Sequence, residues 1–363
     1  MKTILLCFVL GCLFSCSNFV NTDDIMRRGD RKLAIKDYTG AIEDFSLVIE
    51  AKPTNSEAYA ERGSAYRVLE NYEAAQADLS KALELNPSSY RAHNGQGVLF
   101  SDLNEDEKAI ESYSTAINLN PSLAIMYYNR SLSHSALFNY EAAFIDLEAA
   151  IELNDADPDF YYQIGLIYYE IKAYDLSIDE FSTAIQLDST YSDAILSRGD
   201  AKDAMANYPE AIQDYNRFIA LCPKDPNGYN NRGYTFSKME DYESAFLDFD
   251  KAIEIDATYV LAYVNKGDAN MDLDRYQEAI QLYKKALEIE PESFIALISL
   301  ADVYEVKKEY AAAIKCYDQI IEIEKDFGED YLARGLLYIK VKDKEKACLD
   351  FEKAVELADE EAV

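Results

Sequence analysis

Between Ser56 and Ser89 the chain shows two short patterns in which apolar or small residues recur at steps of four and three. The positions are Tyr59, Gly63, Tyr66 and Leu69, and then, after a break, Tyr72, Ala75, Leu79 and Ala82. This spacing places each set on one face of a helix. Asn71 separates the two patterns, and Asn86-Pro87 ends the second because the residue before a proline disfavours the helical region. The stretch predicts a pair of helices whose apolar stripes cannot both be covered within the pair.

The same pattern returns every 34 residues from Thr22 to Glu361, ten times without an insertion or deletion. The first helix of each pair carries a small residue, at Gly29, Gly63, Gly97, Ser131, Gly165, Gly199, Gly233, Gly267, Ala301 and Gly335. The second helix carries another, at Ala41, Ala75, Ala109, Ala143, Ser177, Ala211, Ala245, Ala279, Ala313 and Ala347. A large side chain follows four residues later, at Phe45, Leu79, Tyr113, Leu147, Phe181, Tyr215, Phe249, Tyr283, Tyr317 and Phe351. We expect the small residues to let the paired helices approach closely, so that a bulky side chain at Gly63 overpacks the crossing by about 1–3 kcal/mol.

In these repeats the chain resembles the tetratricopeptide repeat (TPR) family, whose unit is a helix–turn–helix of 34 residues ending near a proline. The resemblance covers residues 22–361. It implies an all-α protein, a right-handed TPR superhelix (an α-solenoid) of ten helix–turn–helix repeats in which each unit packs on its neighbours. Function is not fixed by this fold, because such scaffolds bind many different partners.

Composition narrows the range of partners. The chain has 67 Asp and Glu against 35 Lys and Arg, a formal net charge of −32. This charge argues against nucleic acid, since phosphate contacts need stripes of Lys and Arg. The acidity indicates a solvated outer surface, or alternatively a surface to which a basic partner is steered.

The first 15 residues read as an export signal. A charged start is followed by an apolar run from Ile4 to Phe14, too short to anchor as a spanning helix. Leu13-Phe14-Ser15-Cys16 resembles a bacterial lipobox, which implies cleavage before Cys16, lipidation of its thiol and a short lipidated tether over residues 16–21. Cys12 is a rival site, and an ordinary secretory leader, giving a soluble secreted scaffold, is the other reading. Ser17 after the cysteine points, by analogy with Gram-negative lipoproteins, to a lipid anchor in the outer membrane or facing the periplasm.

A charged pair recurs within the repeats. Six first helices carry an arginine just before the small residue, and the same six repeats carry an aspartate sixteen residues later. The predicted ion pairs are Arg28 with Asp44, Arg62 with Asp78, Arg130 with Asp146, Arg198 with Asp214, Arg232 with Asp248 and Arg334 with Asp350. The other four repeats have Ser112, Glu180, Leu282 and Cys316 in place of the aspartate. Because the arginine and the aspartate are present or absent together, we predict a structural salt bridge between the two helices of each such repeat.

The first repeat is atypical, because Lys32 stands where a large apolar residue is usual. We expect this terminal repeat to be solvated.

The sequence contains no set of residues typical of a catalytic or metal-binding site. His93 and His134 occupy repeat positions held elsewhere by Tyr or Phe, so both are interpreted as packing residues. Cys222, Cys316 and Cys348 lack the spacing of a metal site, and whether any of them forms a disulfide is open. Asp155, Asp157 and Asp159 lack the glycine and glutamate that complete a calcium loop. We therefore predict no catalytic residue, cofactor, metal or small-molecule substrate.

The TPR resemblance implies that the first helices line a concave groove. The sixth residue of repeats four to nine is polar, reading Asn129, Gln163, Ser197, Asn231, Asn265 and Ser299, and neighbouring groove positions add Tyr128, Tyr162, Tyr169, Asn230 and Tyr234. Side chains of this kind donate and accept hydrogen bonds and offer apolar area with a polar tip. A merely hydrated groove is the alternative. A two-carboxylate clamp is not expected, because Met26, Ala60 and Asn94 stand where its first lysine would lie.

These patterns predict a non-catalytic protein-binding scaffold, anchored to a bacterial envelope, that binds an extended peptide or loop. An adaptor that recruits enzymes of outer-membrane or peptidoglycan assembly is the alternative. The last helix lacks a covering partner, so we expect it to expose an apolar stripe.

Overall fold

A computed structural model describes residues 21–361. The signal segment, Cys16 and the tether before residue 21 lie outside the described residues. The described chain is helical throughout and forms ten helix pairs. The first helices of the pairs are α1 Thr22–Ala34, α3 Ser56–Val68, α5 Tyr90–Asp102, α7 Ala124–Ala136, α9 Pro158–Glu170, α11 Ser192–Ala204, α13 Pro226–Lys238, α15 Val260–Asp272, α17 Phe294–Val306 and α19 Gly328–Lys340. The second helices are α2 Tyr38–Ala51, α4 Tyr72–Leu85, α6 Asp106–Leu119, α8 Tyr140–Leu153, α10 Tyr174–Leu187, α12 Tyr208–Leu221, α14 Tyr242–Ile255, α16 Tyr276–Ile289, α18 Tyr310–Ile323 and α20 Lys344–Glu361.

Every helix starts 34 residues after its counterpart in the preceding pair. The predicted helix–turn–helix array is therefore confirmed, with its phase kept from the first pair to the last. By its internal packing the chain divides into two compact units, the first extending to Ile167 and the second beginning at Tyr168. Within each unit a helix contacts only the next helix and the next but one, as expected of repeats stacked in sequence order. Among the described helices, none combines the length and apolarity needed to cross a bilayer.

The turn inside each pair uses a left-handed residue that is never glycine. Ten residues at equivalent positions have φ between 57° and 67°: Lys36, Glu70, Asn104, Phe138, Lys172, Ala206, Glu240, Asp274, Lys308 and Lys342. This conformation ends the first helix, and glycine is its usual occupant. In the second pair the break therefore lies at Glu70, whereas Asn71 caps α4 by accepting a hydrogen bond from the Ala74 N–H.

Within each unit, the core of a helix pair contains the predicted close crossing wherever the small residue is one of seven glycines: Gly29, Gly63, Gly97, Gly199, Gly233, Gly267 and Gly335. An added Cβ on Gly97 would lie 2.5 Å from Cε1 of Tyr113, and one on Gly29 would lie 2.5 Å from Cε1 of Phe45. Both rings are fully buried. At Gly63 the nearest atom is Cγ of Leu79, at 2.9 Å. The small residue of the first helix therefore lies directly against the large residue of the second helix.

The last described helix, α20, exposes part of its apolar face. In α20 Leu357 is buried, whereas Leu349 and Val355 are exposed. The loop residue Phe327 is exposed beside the same helix pair, and together with Leu332 and Ala354 it lines a shallow pocket. An apolar stripe thus lies uncovered at this end of the second unit.

Candidate functional site

The six arginines paired by sequence position with an aspartate are in direct contact with it. In each pair Nε donates to one carboxylate oxygen at 2.7–2.9 Å, and Nη2 donates to the other at 2.5–2.8 Å. All six aspartates are buried. This two-bond geometry fixes the first helix against the second at one register.

A third contact, which the sequence reading missed, joins the same arginines to the preceding repeat. Nη1 of Arg62 donates to Ser46 Oγ at 2.9 Å, and Nη1 of Arg334 donates to Asp318 at 2.8 Å. Equivalent bonds run from Arg130 to Ser114, from Arg198 to Ser182 and from Arg232 to Asn216. The signal was present in the sequence, because each acceptor stands sixteen residues before its arginine and carries a polar side chain. In these five repeats one guanidinium therefore links three helices.

Two lysines extend these ion pairs. Lys32 Nζ lies 3.0 Å from Asp44 Oδ2 and donates to the carbonyl oxygen of Gly40. Lys202 Nζ lies 2.6 Å from Asp214 Oδ2. In the first repeat the buried carboxylate of Asp44 thus attracts the ammonium group of Lys32.

In the first unit, the predicted groove residues lie on α7 and α9. Asn129 donates to Asn94 at 3.5 Å, and Gln163 donates to Ser135 at 3.3 Å. The Tyr128 ring packs 5.2 Å from Phe160, centre to centre, and burial followed by the charge of Asp159 raises the pKa of Tyr128 to about 12. Tyr162 lies half-buried on α9. The amides of this part are engaged with the neighbouring first helix.

In the second unit, the groove asparagines form a connected chain across three first helices. Asn231 Nδ2 donates to Asp200 at 2.9 Å, Asn230 Nδ2 donates to Asn231 at 3.1 Å, and Asn265 Nδ2 donates to Asn230 at 2.9 Å. Asn230 is only 4% exposed, which corrects its assignment as a contact residue, because it can act on a ligand only through its two neighbours. The side-chain oxygen of Asn265, Oδ1, accepts no hydrogen bond from another described residue. Asn265 therefore retains an acceptor that a bound backbone N–H can use.

Asp200 anchors the inner end of this chain. Its Oδ1 accepts from the hydroxyl of Tyr215 at 2.9 Å as well as from Asn231. Burial is the main cause that raises the pKa of Asp200 to about 6, with the charge of Asp203 adding to it, while the two hydrogen bonds oppose the shift. The carboxyl group is thus held in a place that disfavours its charge.

Next to it, Asp203 is buried and fully engaged. It accepts from Thr235 Oγ1 at 2.8 Å and from Lys238 Nζ at 2.6 Å. Lys238 also lies 4.4 Å from the ring centre of Tyr234, a cation–π contact. Tyr234 itself is exposed on α13, as a binding residue must be.

The remaining predicted groove residues take less central places. Tyr169 packs against Tyr174 with ring centres 5.3 Å apart, and burial, followed by the charge of Asp200, raises its pKa to about 12. Ser197 is half-buried on α11, and half-buried Ser299 on α17 hydrogen-bonds to Asp268.

The histidines and cysteines of residues 21–361 each lie in a different repeat. His93 Nε2 lies 3.0 Å from the Pro87 carbonyl oxygen, the contact that the Tyr127 hydroxyl makes with Pro121. His134 Nε2 lies 3.9 Å from Asp146, and burial lowers the pKa of this histidine. Cys222, Cys316 and Cys348 are free thiols, and burial raises the pKa of Cys316 to about 11.

Family models for the tetratricopeptide repeat match residues 60–124, 124–157, 158–191, 226–259, 270–334 and 331–361, and a TPR repeat model matches residues 206–240. Together the matches cover most of the chain. Three of them, 124–157, 158–191 and 226–259, coincide with repeats read from the sequence. No curated protein matches the chain.

Many solved structures match this chain, among them two that share its fold. The pilF protein of Pseudomonas aeruginosa is 22% identical over 57% of this chain and 94% of its own, with a TM-score of 0.50. The C-terminal part of a TPR repeat-containing protein from Cytophaga hutchinsonii is 22% identical over 66% of this chain and 98% of its own, with a TM-score of 0.51. At this identity the likeness concerns the fold alone.

The ion pairs yield a stability prediction. Replacing Arg232 by Gln leaves the buried Asp248 unpaired and should lower the free energy of unfolding by about 1–3 kcal/mol. Arg28→Gln is the comparison variant, because Asp44 keeps the ammonium group of Lys32 as a partner and the Arg28 side chain is 54% exposed, so its loss should be much smaller. Urea unfolding of both variants measures the difference. Equal losses would contradict the cost assigned to a buried carboxylate that is left without a cation.

The raised pKa of Asp200 gives stability a pH dependence of known sign. The pKa of Asp200 in the folded state, about 6, lies above its ordinary value of 3.8, so as the pH falls between these values the folded state binds a proton that the unfolded state does not. Asp200→Asn should be more stable than the wild type at pH 8, by about 1–3 kcal/mol, and the difference should vanish near pH 4. Asp193→Asn, exposed on the same helix, controls for the loss of one charge. A difference that stays constant between pH 8 and pH 4 would refute the shift.

Proposed function

Since the chain belongs to the tetratricopeptide repeat family, we propose that it is a non-catalytic scaffold that holds a partner protein by an extended peptide or loop. The peptide lies on the first-helix face of the second unit, where α11, α13 and α15 carry the asparagine chain. Protein binding is the general role of these repeats, and the groove amides supply the contact with a peptide backbone.

The observation that carries the proposal is the pairing of a rigid amide chain with an exposed aromatic. Asn231 and Asn265 are held in place by Asp200 and Asn230, so they lose little side-chain entropy on binding. Tyr234 stands beside them, exposed, with a ring that offers apolar area at low entropic cost. A preorganised polar row next to an aromatic anchor suits a peptide better than a small molecule.

We place this scaffold at the bacterial envelope, anchored by lipid on Cys16 in the outer membrane or facing the periplasm. Support comes from the sequence, in which an apolar leader ends at Cys16. Several acyl chains on one cysteine give firm anchoring, because each buried CH₂ contributes about 0.8 kcal/mol. An adaptor that recruits outer-membrane or peptidoglycan enzymes is the second candidate, favoured by the same lipid signal.

Site-specific photo-crosslinking tests the groove. A photoreactive phenylalanine at Tyr234 should crosslink one defined partner in the native cells. The same probe at Leu247, exposed on the second helix α14, should not. Replacing Asn231 and Asn265 by Ala should abolish the Tyr234 adduct, as identified by mass spectrometry. Equal adducts at both positions, or none at Tyr234, would refute a groove site.

Radiolabelled palmitate tests the anchor. The wild-type chain should incorporate label and sediment with membranes, and Cys16→Ser should lose both properties. Cys12→Ser is the matched control and should behave as the wild type does. Label that survives in Cys16→Ser and disappears in Cys12→Ser would move the anchor to the rival cysteine, and a chain that takes no label would be a soluble secreted scaffold.

A further inference from the structure

The first-helix face of α15 and α17 has an exposed apolar strip. Leu261 on α15 is 41% exposed, and Ile295 and Ile298 on α17 are 45% and 40% exposed. Leu261 and Ile295 occupy the same position in consecutive repeats, and α15 contacts α17, so we expect the two side chains on one face. Three aliphatic side chains thus stand uncovered at the start of two adjacent helices, beside Asn265.

Further along the same two helices the face becomes acidic. Asp268 and Asp272 follow Leu261 at helical spacing on α15, and Asp302 and Glu305 follow Ile298 on α17. Asp268 accepts from the hydroxyl of Tyr283 at 2.6 Å and from Ser299, and Asp272 hydrogen-bonds to Tyr242. Within residues 21–361 none of the four carboxylates forms an ion pair. The nearby lysines are engaged elsewhere, Lys266 with Asp250 and Lys307 with Glu309.

This arrangement costs the free protein stability. Burial raises the pKa of Asp268, and the charges of Asp272 and Asp302 raise it further. Burial also raises the pKa of Asp302, to which Glu305 adds. Asp272 ends α15, and Glu305 lies in the last turn of α17, where the helix dipole disfavours negative charge. A cation from outside the chain would offset the repulsion between these carboxylates and the unfavourable position of two of them at helix C-termini.

We propose that this face of α15 and α17 selects an extended peptide in which Leu, Ile or Val alternates with Lys or Arg. In an extended strand successive side chains point to opposite sides. A strand laid across the two helices directs one set of side chains to Leu261, Ile295 and Ile298 and the other set to the carboxylates. The inference rests on the proposed groove function and specifies the partner's chemistry at its α15–α17 end.

Fluorescence anisotropy with three synthetic ten-residue peptides tests the selection on the purified full-length protein. The peptides alternate Leu with Lys, Leu with Glu, and Ser with Lys. The Leu–Lys peptide should bind at least about tenfold more tightly than either of the others, with an affinity that falls as salt rises. Asp302→Asn combined with Glu305→Gln should weaken it about tenfold, as should Ile295→Ser combined with Ile298→Ser.

A matched charge control separates this site from the general acidity of the protein. Glu148→Gln combined with Glu322→Gln removes the same charge from exposed places on α8 and α18 and should leave affinity within about twofold. Equal weakening by the control pair, or equal binding of the Ser–Lys and Leu–Lys peptides, would overturn the inference.

The crosslinking experiment separates this inference from the proposed function. If crosslinking at Tyr234 recovers a partner while the protein shows no preference for the Leu–Lys peptide, the partner chemistry is wrong and the scaffold stands. A failure at Tyr234 with selective Leu–Lys binding would count against the groove scaffold and in favour of this peptide site.

Discussion

The close approach of the two helices in each pair is the constraint on which the rest of the structure depends. A glycine of the first helix lies against a large side chain of the second, as Gly97 lies against the buried ring of Tyr113. Protein interiors are packed to the density of crystals, so even one added carbon at such a contact must displace a neighbour. This contact sets the distance between the two helices of a pair. The apolar stripes that remain uncovered within the pair pack against the next pair.

The ion pairs fix the register of the helices, whereas we propose that the acidic residues of the groove select the partner peptide. Arg62 joins Asp78 in its own repeat and Ser46 in the preceding one, so one side chain fixes three helices relative to each other. A buried pair of this kind adds specificity of packing more than net stability. The groove of the second unit differs from one end to the other, because the asparagine chain from Asp200 to Asn265 is internally bonded, whereas Asp302 and Glu305 have no cationic partner in the described part of the chain.

Much of the fold was readable because it repeats. The 34-residue period gave the helix phase, and the switching of Arg with Asp identified partners sixteen residues apart, since both signals occur many times in one chain. The turns were not readable, because the left-handed residues, such as Glu70 and Phe138, share no side-chain chemistry and are fixed by the packing of the flanking helices. The groove was readable only as a row of polar positions. That Asn230 is buried and bonded to Asn265 depends on how closely adjacent repeats pack, and a one-dimensional pattern does not contain that distance.

The most direct measurement is the urea unfolding midpoint of Gly97→Ala. Alanine exceeds glycine in helix propensity by about 1 kcal/mol, so a helix without a tight crossing would gain stability from the change. An added Cβ would lie 2.5 Å from the Tyr113 ring, so the close crossing requires a loss, with a lower midpoint that Tyr113→Leu partly restores. A higher midpoint for Gly97→Ala, with no response to Tyr113→Leu, would contradict the account.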